Sequence, residues 1–283
     1  MAVLEWLEGF AAETLLLAEA KCRGGYPDRG ECSWYHGAWP TLRVLGLVSN
    51  PYWHWHFYRA AFVQALDGIA HPNVLVLGAA DFSMPYLVQE SVAADITVSD
   101  ICDTPLALSR RLSGQQGFGW RTLQLDARNP PRDLSPVDMV TMDAFLTRFA
   151  QAEKRSVLDR TKSLLKAGGR MVTTVRLGEL EGDQSKSGSG LSYQSNEDRR
   201  IWFVERAESR AHERGGIRGV SAERVRGLAE AYMRDMKSYR FANSDDVRST
   251  FISAGFSIES LECVVVPGES EEAIYGRVVA RSI

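Results

Sequence analysis

The sequence predicts an α/β fold: a mostly parallel, seven-stranded sheet with helices on both faces, preceded by an N-terminal helical cap. Three observations carry this. Short apolar runs rich in β-branched residues recur from residue 73 onward, each long enough for one buried strand. Stretches with helical spacing separate them, the alternation that builds parallel sheets from right-handed crossovers. Residues 1–70 lack such runs and read as helices throughout.

The elements follow in order. Near the start, Leu4, Leu7, Phe10, Ala11, Thr14, Leu15 and Ala18 fall on one helical face, and acidic residues among them argue against a secretory leader. Further helices are expected around Thr41–Val48 and Pro51–Leu66, the latter with Asn50 as cap and Pro51 in its first turn. NVLVLGAA, from Asn73, is the first strand, and DFSMPYLVQESVAA the helix after it. DITVSD is the second strand, ending on Asp100. TPLALSRRLSGQQG is a helix, with Thr104 as cap and a glycine stop at Gly114 or Gly117. WRTLQLDA and PVDMVTMDAF are the third and fourth strands, AQAEKRSVLDRTKSLLKAGG a helix, and GRMVTTVRL the fifth strand.

Residues 178–195 are glycine- and serine-rich and read as a loop. Helices are expected at Asn196–Arg214, Ser221–Lys237 and Ser244–Ala254, with Gly255 ending the last. FSIESLECVVV and EEAIYGRVVARS, separated by Pro267-Gly268, read as an antiparallel strand pair at the sheet edge. The division is thus a cap over 1–70 and an α/β domain over 71–283, with a helical insertion at about 196–240.

Bulk properties set outer bounds. The 283 residues are 45% hydrophobic and 24% charged, with net charge −3. That balance offers no general attraction to nucleic acid or anionic membrane, and no run reaches the roughly 20 apolar residues of a membrane span. A cytoplasmic protein with a small-molecule substrate is the expectation. Cys22, Cys32, Cys102 and Cys263 form no CxxC pair and, read along the chain, suggest reduced thiols and no metal site.

Ligands of open α/β sheets bind at the carboxyl ends of the strands. After the first strand stand Gly78, Ala79, Ala80 and Asp81, small residues that let backbone approach a ligand beside a helix N-terminus, with Met84 one turn on. Asp100 and Ile101 follow the second strand, where a carboxylate can accept ribose hydroxyls. Asp126 and Ala127 follow the third, suited to the amino edge of adenine. Asp143, Ala144 and Phe145 follow the fourth.

VLVLGAAD, VSDIC, LQLDA, VDMVTMDAF and LLKAGGRMVTT resemble, in this order, the five motifs of class I S-adenosylmethionine-dependent methyltransferases, over about residues 70–180. The resemblance implies a Rossmann-like fold and S-adenosylmethionine as cofactor. It implies that Asp100 binds the ribose, that Asp126 binds the adenine and that Gly78–Asp81 lies beside the methionine moiety. One departure is plain: the usual GxGxG loop keeps a single glycine. LGAADFSMPYL followed by VSDICDTPLAL is also similar to a methyltransferase-like subgroup, the azetidine-2-carboxylate synthases. These cyclise the aminocarboxypropyl arm of S-adenosylmethionine and release methylthioadenosine.

The leading expectation is methyl transfer to a small molecule, and the cyclase is the second. A binding protein without turnover is a third. A nicotinamide dehydrogenase would want GxGxxG after the first strand, which is absent. Asp143 and Tyr193 are the candidate catalytic residues, Asp143 to hold or deprotonate an amine and Tyr193 to steady a sulfonium. Trp34, Tyr35 and Tyr58 are alternative aromatic faces. His54 and His56 read as packing or surface residues, and Arg148 and Arg176 as ion-pair partners.

Overall fold

The structure is a computed structural model that describes residues 2–22, 32–178, 197–266 and 273–283. The first helix, α1 (Ala2–Lys21), buries Val3, Leu7, Phe10, Ala11, Thr14 and Ala18. That is the stripe expected from helical spacing, except that Val3 is buried in place of Leu4 and Leu15 is only half-buried. Two short helices follow, α2 (Ser33–His36) and α3 (Trp39–Val44). The expected helix at 41–48 therefore begins earlier and stops earlier, because Gly46 takes a φ of +72° that ends it. Asn50 caps the next segment as expected, its side chain accepting the Tyr52 N–H. A 3-10 turn (Pro51–His54) then leads into α4 (Trp55–Leu66).

The sheet has seven strands in the order β3-β2-β1-β4-β5-β7-β6. They are β1 (Asn73–Leu77), β2 (Asp95–Asp100), β3 (Arg121–Gln124), β4 (Val137–Asp143), β5 (Leu165–Arg176), β6 (Phe256–Val266) and β7 (Ala273–Ser282). Strands β1 to β5 are parallel, with registers such as Val76↔Val98 and Val76↔Thr141. β7 runs antiparallel to both β5 and β6. The last two strands do pair antiparallel, but the final strand inserts between β5 and β6 and leaves β6 at the edge. Burial explains the placement: β7 is mostly buried, whereas β6 exposes much of its length.

Among the described residues, the remaining helices are α5 (Ser83–Ser91), α6 (Asp103–Gln116), α7 (Gln151–Lys162), α8 (Glu197–Glu213), α9 (Ala222–Asp235) and α10 (Ser244–Ser253). Cys102, not Thr104, caps α6: its sulfur accepts the Thr104 N–H, and Gly117 closes the helix at φ +71°. Alternating residues of β1 divide the core as a pleated strand requires. Val74 and Val76 join one hydrophobic cluster with α1, α3, α4, α5, α6, α8 and α9. Leu75 and Leu77 join the other with α7 and α10. The N-terminal helices thus share a core with the sheet. Among the described residues no helix is long and apolar enough to cross a membrane.

Candidate functional site

Parallel strands end together, so residues just beyond β1 and β4 meet in space, and a pocket opens there. Its floor is Gly78, Ala79, Ala80, Asp81 and Met84 from the first crossover, with Asp143, Ala144 and Phe145 beyond β4. Eight of the expected site residues therefore converge on one pocket.

Gly78 has φ +69°, a conformation glycine adopts freely. A Cβ built there would lie 2.2 Å from Cδ2 of Phe145, so the ring sits directly against the glycine backbone. Phe145 is aimed by Ala144, whose φ of +49° is left-handed and costs a non-glycine residue about 1–2 kcal/mol. The Ala144 N–H bonds to the Thr174 carbonyl oxygen at 3.1 Å and lies 3.2 Å from Thr174 Oγ1, holding that conformation.

Asp143 is fixed through one oxygen. Thr174 Oγ1 donates to its Oδ1 at 2.6 Å, and the Tyr58 hydroxyl lies 3.0 Å from the same atom. Tyr58 Oη is also 3.0 Å from the Met142 carbonyl oxygen. Tyr58 is fully buried, and burial pushes its phenol well above the usual range, so it stays a neutral donor. Asp81 is fixed differently. Its Oδ1 accepts from Arg43 Nη1 at 2.9 Å and from the Ser83 N–H at 2.7 Å, with both side chains buried. Arg43 also lies over the Trp39 ring at 5.0 Å.

The remaining wall is cationic and aromatic. Among the described residues, Arg148, Arg176 and Arg199 line the pocket with Arg43, and Asp81 and Asp143 are its acids. Arg148 donates to the Lys237 carbonyl oxygen at 3.0 Å and lies over Tyr35 at 4.8 Å; Arg176 lies over Tyr275 at 5.3 Å. Tyr35 and Trp39 from the cap meet Phe203 of α8 and Tyr232 of α9, with Tyr232 stacked on Phe203 at 5.7 Å and on Tyr35 at 6.4 Å. Burial pushes the Tyr35 phenol up to about 12.

Four expected residues lie outside this pocket: Asp100, Ile101, Asp126 and Ala127. Asp100 stands at the end of β2, but its Oδ1 accepts the Cys102 N–H at 2.9 Å and lies 3.7 Å from His36 Nε2. Burial raises its carboxyl above the usual range, opposed by His36 and the Cys102 amide. Asp126 is held by its neighbour, with Arg128 Nη2 on Oδ2 at 2.8 Å and the Arg128 N–H on Oδ1 at 3.0 Å. Tyr193 lies outside the described residues. Of the alternative aromatics, Tyr35 lines the pocket, whereas Trp34 and Tyr58 do not. His54 is buried behind it, accepting from Arg277 at 3.3 Å, and burial lowers its pKa; His56 is exposed.

Sequence reasoning missed Arg43 entirely and gave Arg148 and Arg176 no place in the pocket. It offered Tyr58 as a ligand face when its hydroxyl in fact holds Asp143. Only the fold could show these, since each partner is distant in sequence.

No protein-family model matches the sequence, and neither does any curated protein. Solved structures do match in fold. The (4+2)-cyclase SpnF superposes with a TM-score of 0.53 at 12% identity, over 80% of this chain and 79% of its own. Magnesium protoporphyrin IX methyltransferase (ChlM) from Synechocystis PCC 6803, with bound SAM, superposes with a TM-score of 0.50 at 11% identity, over 88% of this chain and 93% of its own. The fold is that of the class I methyltransferases. One of these neighbours is a cyclase and the other a methyltransferase, so the reaction has to be argued from the site.

Proposed function

We propose that the protein is an S-adenosylmethionine-dependent enzyme acting on a small molecule, most simply a methyltransferase. The observation that carries this is the pocket at the ends of β1 and β4. It joins the Gly78–Asp81 loop, Asp143 and a guanidinium wall under an aromatic cover. An amino-acid arm needs a cation for its carboxylate and an anion for its ammonium group. Arg43 is paired with Asp81; Arg148, Arg176 and Arg199 also line the pocket as guanidinium groups suited to the first role, and Asp143 lines it as the acid suited to the second. Asp100, one strand away and largely desolvated, suits the ribose hydroxyls.

S-adenosylmethionine would supply an activated carbon beside a sulfonium. The chain's own part is to align the acceptor and keep water out. Tyr35 and Trp39 of the cap, with Phe203 of α8 and Tyr232 of α9, line the pocket and limit acceptors to small molecules. Neither nucleic acid nor membrane enters this reading.

The fixing of Asp143 favours a second reading, intramolecular cyclisation to azetidine-2-carboxylate. There the arm's own nitrogen bonds to its γ-carbon as the carbon–sulfur bond breaks, methylthioadenosine leaves, and the amine proton needs an acceptor. Asp143 lines the pocket and is held in place by Tyr58 and Thr174. Incubation with S-adenosylmethionine alone, followed by mass spectrometry of the products, separates the two. Enzyme-dependent methylthioadenosine with azetidine-2-carboxylate selects the cyclase. Bound but intact cofactor excludes the cyclase and directs the search to small acceptors for methyl transfer. Absence of binding refutes both.

A further inference from the structure

Cys22, Cys32, His36 and Cys102 offer four ligand atoms that all lie within 4.8 Å of one another. They come from the end of α1, the residue before α2, α2 itself and the cap of α6. Along the chain they show no metal spacing, which is why the sequence alone predicts no metal; the fold collects them. Cys22, His36 and Cys102 are buried and Cys32 is half-buried.

Two of the spacings are those of a coordination shell. Cys22 Sγ lies 3.5 Å from Cys102 Sγ and 3.7 Å from His36 Nδ1. Tetrahedral zinc, with Zn–S near 2.3 Å and Zn–N near 2.0–2.1 Å, puts neighbouring ligand atoms about 3.5–3.8 Å apart. A disulfide would need about 2.05 Å, and these cysteines are free. The surroundings also match. Ligating histidines commonly present their other nitrogen to a carboxylate, and His36 Nε2 faces Asp100 Oδ1 at 3.7 Å. The Thr104 N–H reaches Cys102 Sγ at 3.5 Å, and Thr104 Oγ1 lies 3.2 Å from Cys22 Sγ, polar contacts suited to thiolate sulfur.

We propose that Cys22, Cys32, His36 and Cys102 bind one zinc ion in a closed, structural Cys3His site. Four protein ligands complete the tetrahedron and leave no position for substrate, so the ion is not catalytic. Binding takes the three cysteines as thiolates, with their protons released to solvent. The ion ties α1 and α2 to the turn after β2. That turn follows directly on Asp100, so the metal braces the strand end assigned to the ribose. The site stands independently of the cofactor reading.

The test is metal content of the full chain purified without chelator. About one zinc per chain is expected for wild type and for Cys263→Ser, whose thiol lies outside the cluster. Cys32→Ser and Cys102→Ser should fall at least fivefold. Because those variants can misfold, the wild-type protein is also reloaded with cobalt(II). Intense visible bands of tetrahedral cobalt with sulfur-to-cobalt charge transfer in the near ultraviolet are expected, and added zinc should abolish them. Folded wild-type protein that takes up neither ion overturns the proposal. So does a Cys22–Cys102 disulfide, seen as a mass 2 Da lighter before reduction. Stoichiometric iron without zinc overturns the choice of metal.

Discussion

Gly78→Ala tests the packing that shapes the pocket floor. The added methyl would stand 2.2, 2.4 and 2.7 Å from Cδ2, Cε2 and Cγ of Phe145. Carbon contacts need about 3.5–4.0 Å, so the ring must retreat by about 1 Å or more. It is hemmed in by Phe149, edge-on at 5.1 Å, and by the left-handed Ala144. Overpacking of this kind costs about 1–3 kcal/mol. The φ of +69° adds about 1–2 kcal/mol for any residue with a Cβ. The sum is about 2–5 kcal/mol, which in a domain of this size lowers Tm by roughly 5–15 °C. Urea denaturation of wild type, Gly78→Ala, Phe145→Ala and the double variant resolves the two parts. With the ring removed, Gly78→Ala should retain only the backbone part. Equal costs in both backgrounds, or a loss under about 1 kcal/mol in wild type, would refute the argument.

Three further outcomes follow from particular contacts. Arg43→Met leaves the Asp81 carboxylate buried without its cation and should destabilise by about 3–5 kcal/mol in chemical denaturation. Tyr58→Phe removes a hydroxyl from Asp143 and should cost about 1–3 kcal/mol of stability. It should also lower turnover about tenfold, and unchanged turnover would remove the Tyr58–Asp143 contact from the account. Lys154 is buried over the Phe241 ring at 3.9 Å, and burial lowers its pKa from 10.5 to about 8. Between those values the unfolded chain holds a proton that the folded chain has lost, so stability rises with pH. Wild type should therefore gain roughly 1–3 kcal/mol on Lys154→Met between pH 8 and 10.5, and a constant difference would contradict the assignment.

Much of the architecture is legible because strands and helices write their periods into the chain. NVLVL reads as a strand buried on both faces because it is short, rich in valine and closed by a glycine, and the alternation of such runs with helices points to the crossovers. The ends of β1 and β4 follow, which is why Gly78–Asp81 and Asp143–Phe145 meet as expected. What stays hidden is contact between distant segments. Arg43 carries no local mark of a site residue, yet it sits on Asp81. Tyr58 looks like any core aromatic until its hydroxyl is seen on Asp143. Asp126 has an ordinary strand-end position, but Arg128 two residues later claims its carboxylate. The cysteines illustrate the same limit: Cys22 and Cys102 are 80 positions apart and 3.5 Å from each other.

The central claim is that the strand ends hold S-adenosylmethionine with Asp100 at the ribose. Titration calorimetry of S-adenosylmethionine and S-adenosylhomocysteine into wild type and Asp100→Asn tests it most directly. One site of roughly micromolar affinity is expected in wild type, since about −8 kcal/mol is an ordinary yield for a ligand of this size. Asp100→Asn keeps the shape but loses the charged acceptor and should bind at least tenfold more weakly. No binding to wild type up to about 1 mM, or equal affinity in both proteins, would contradict the account.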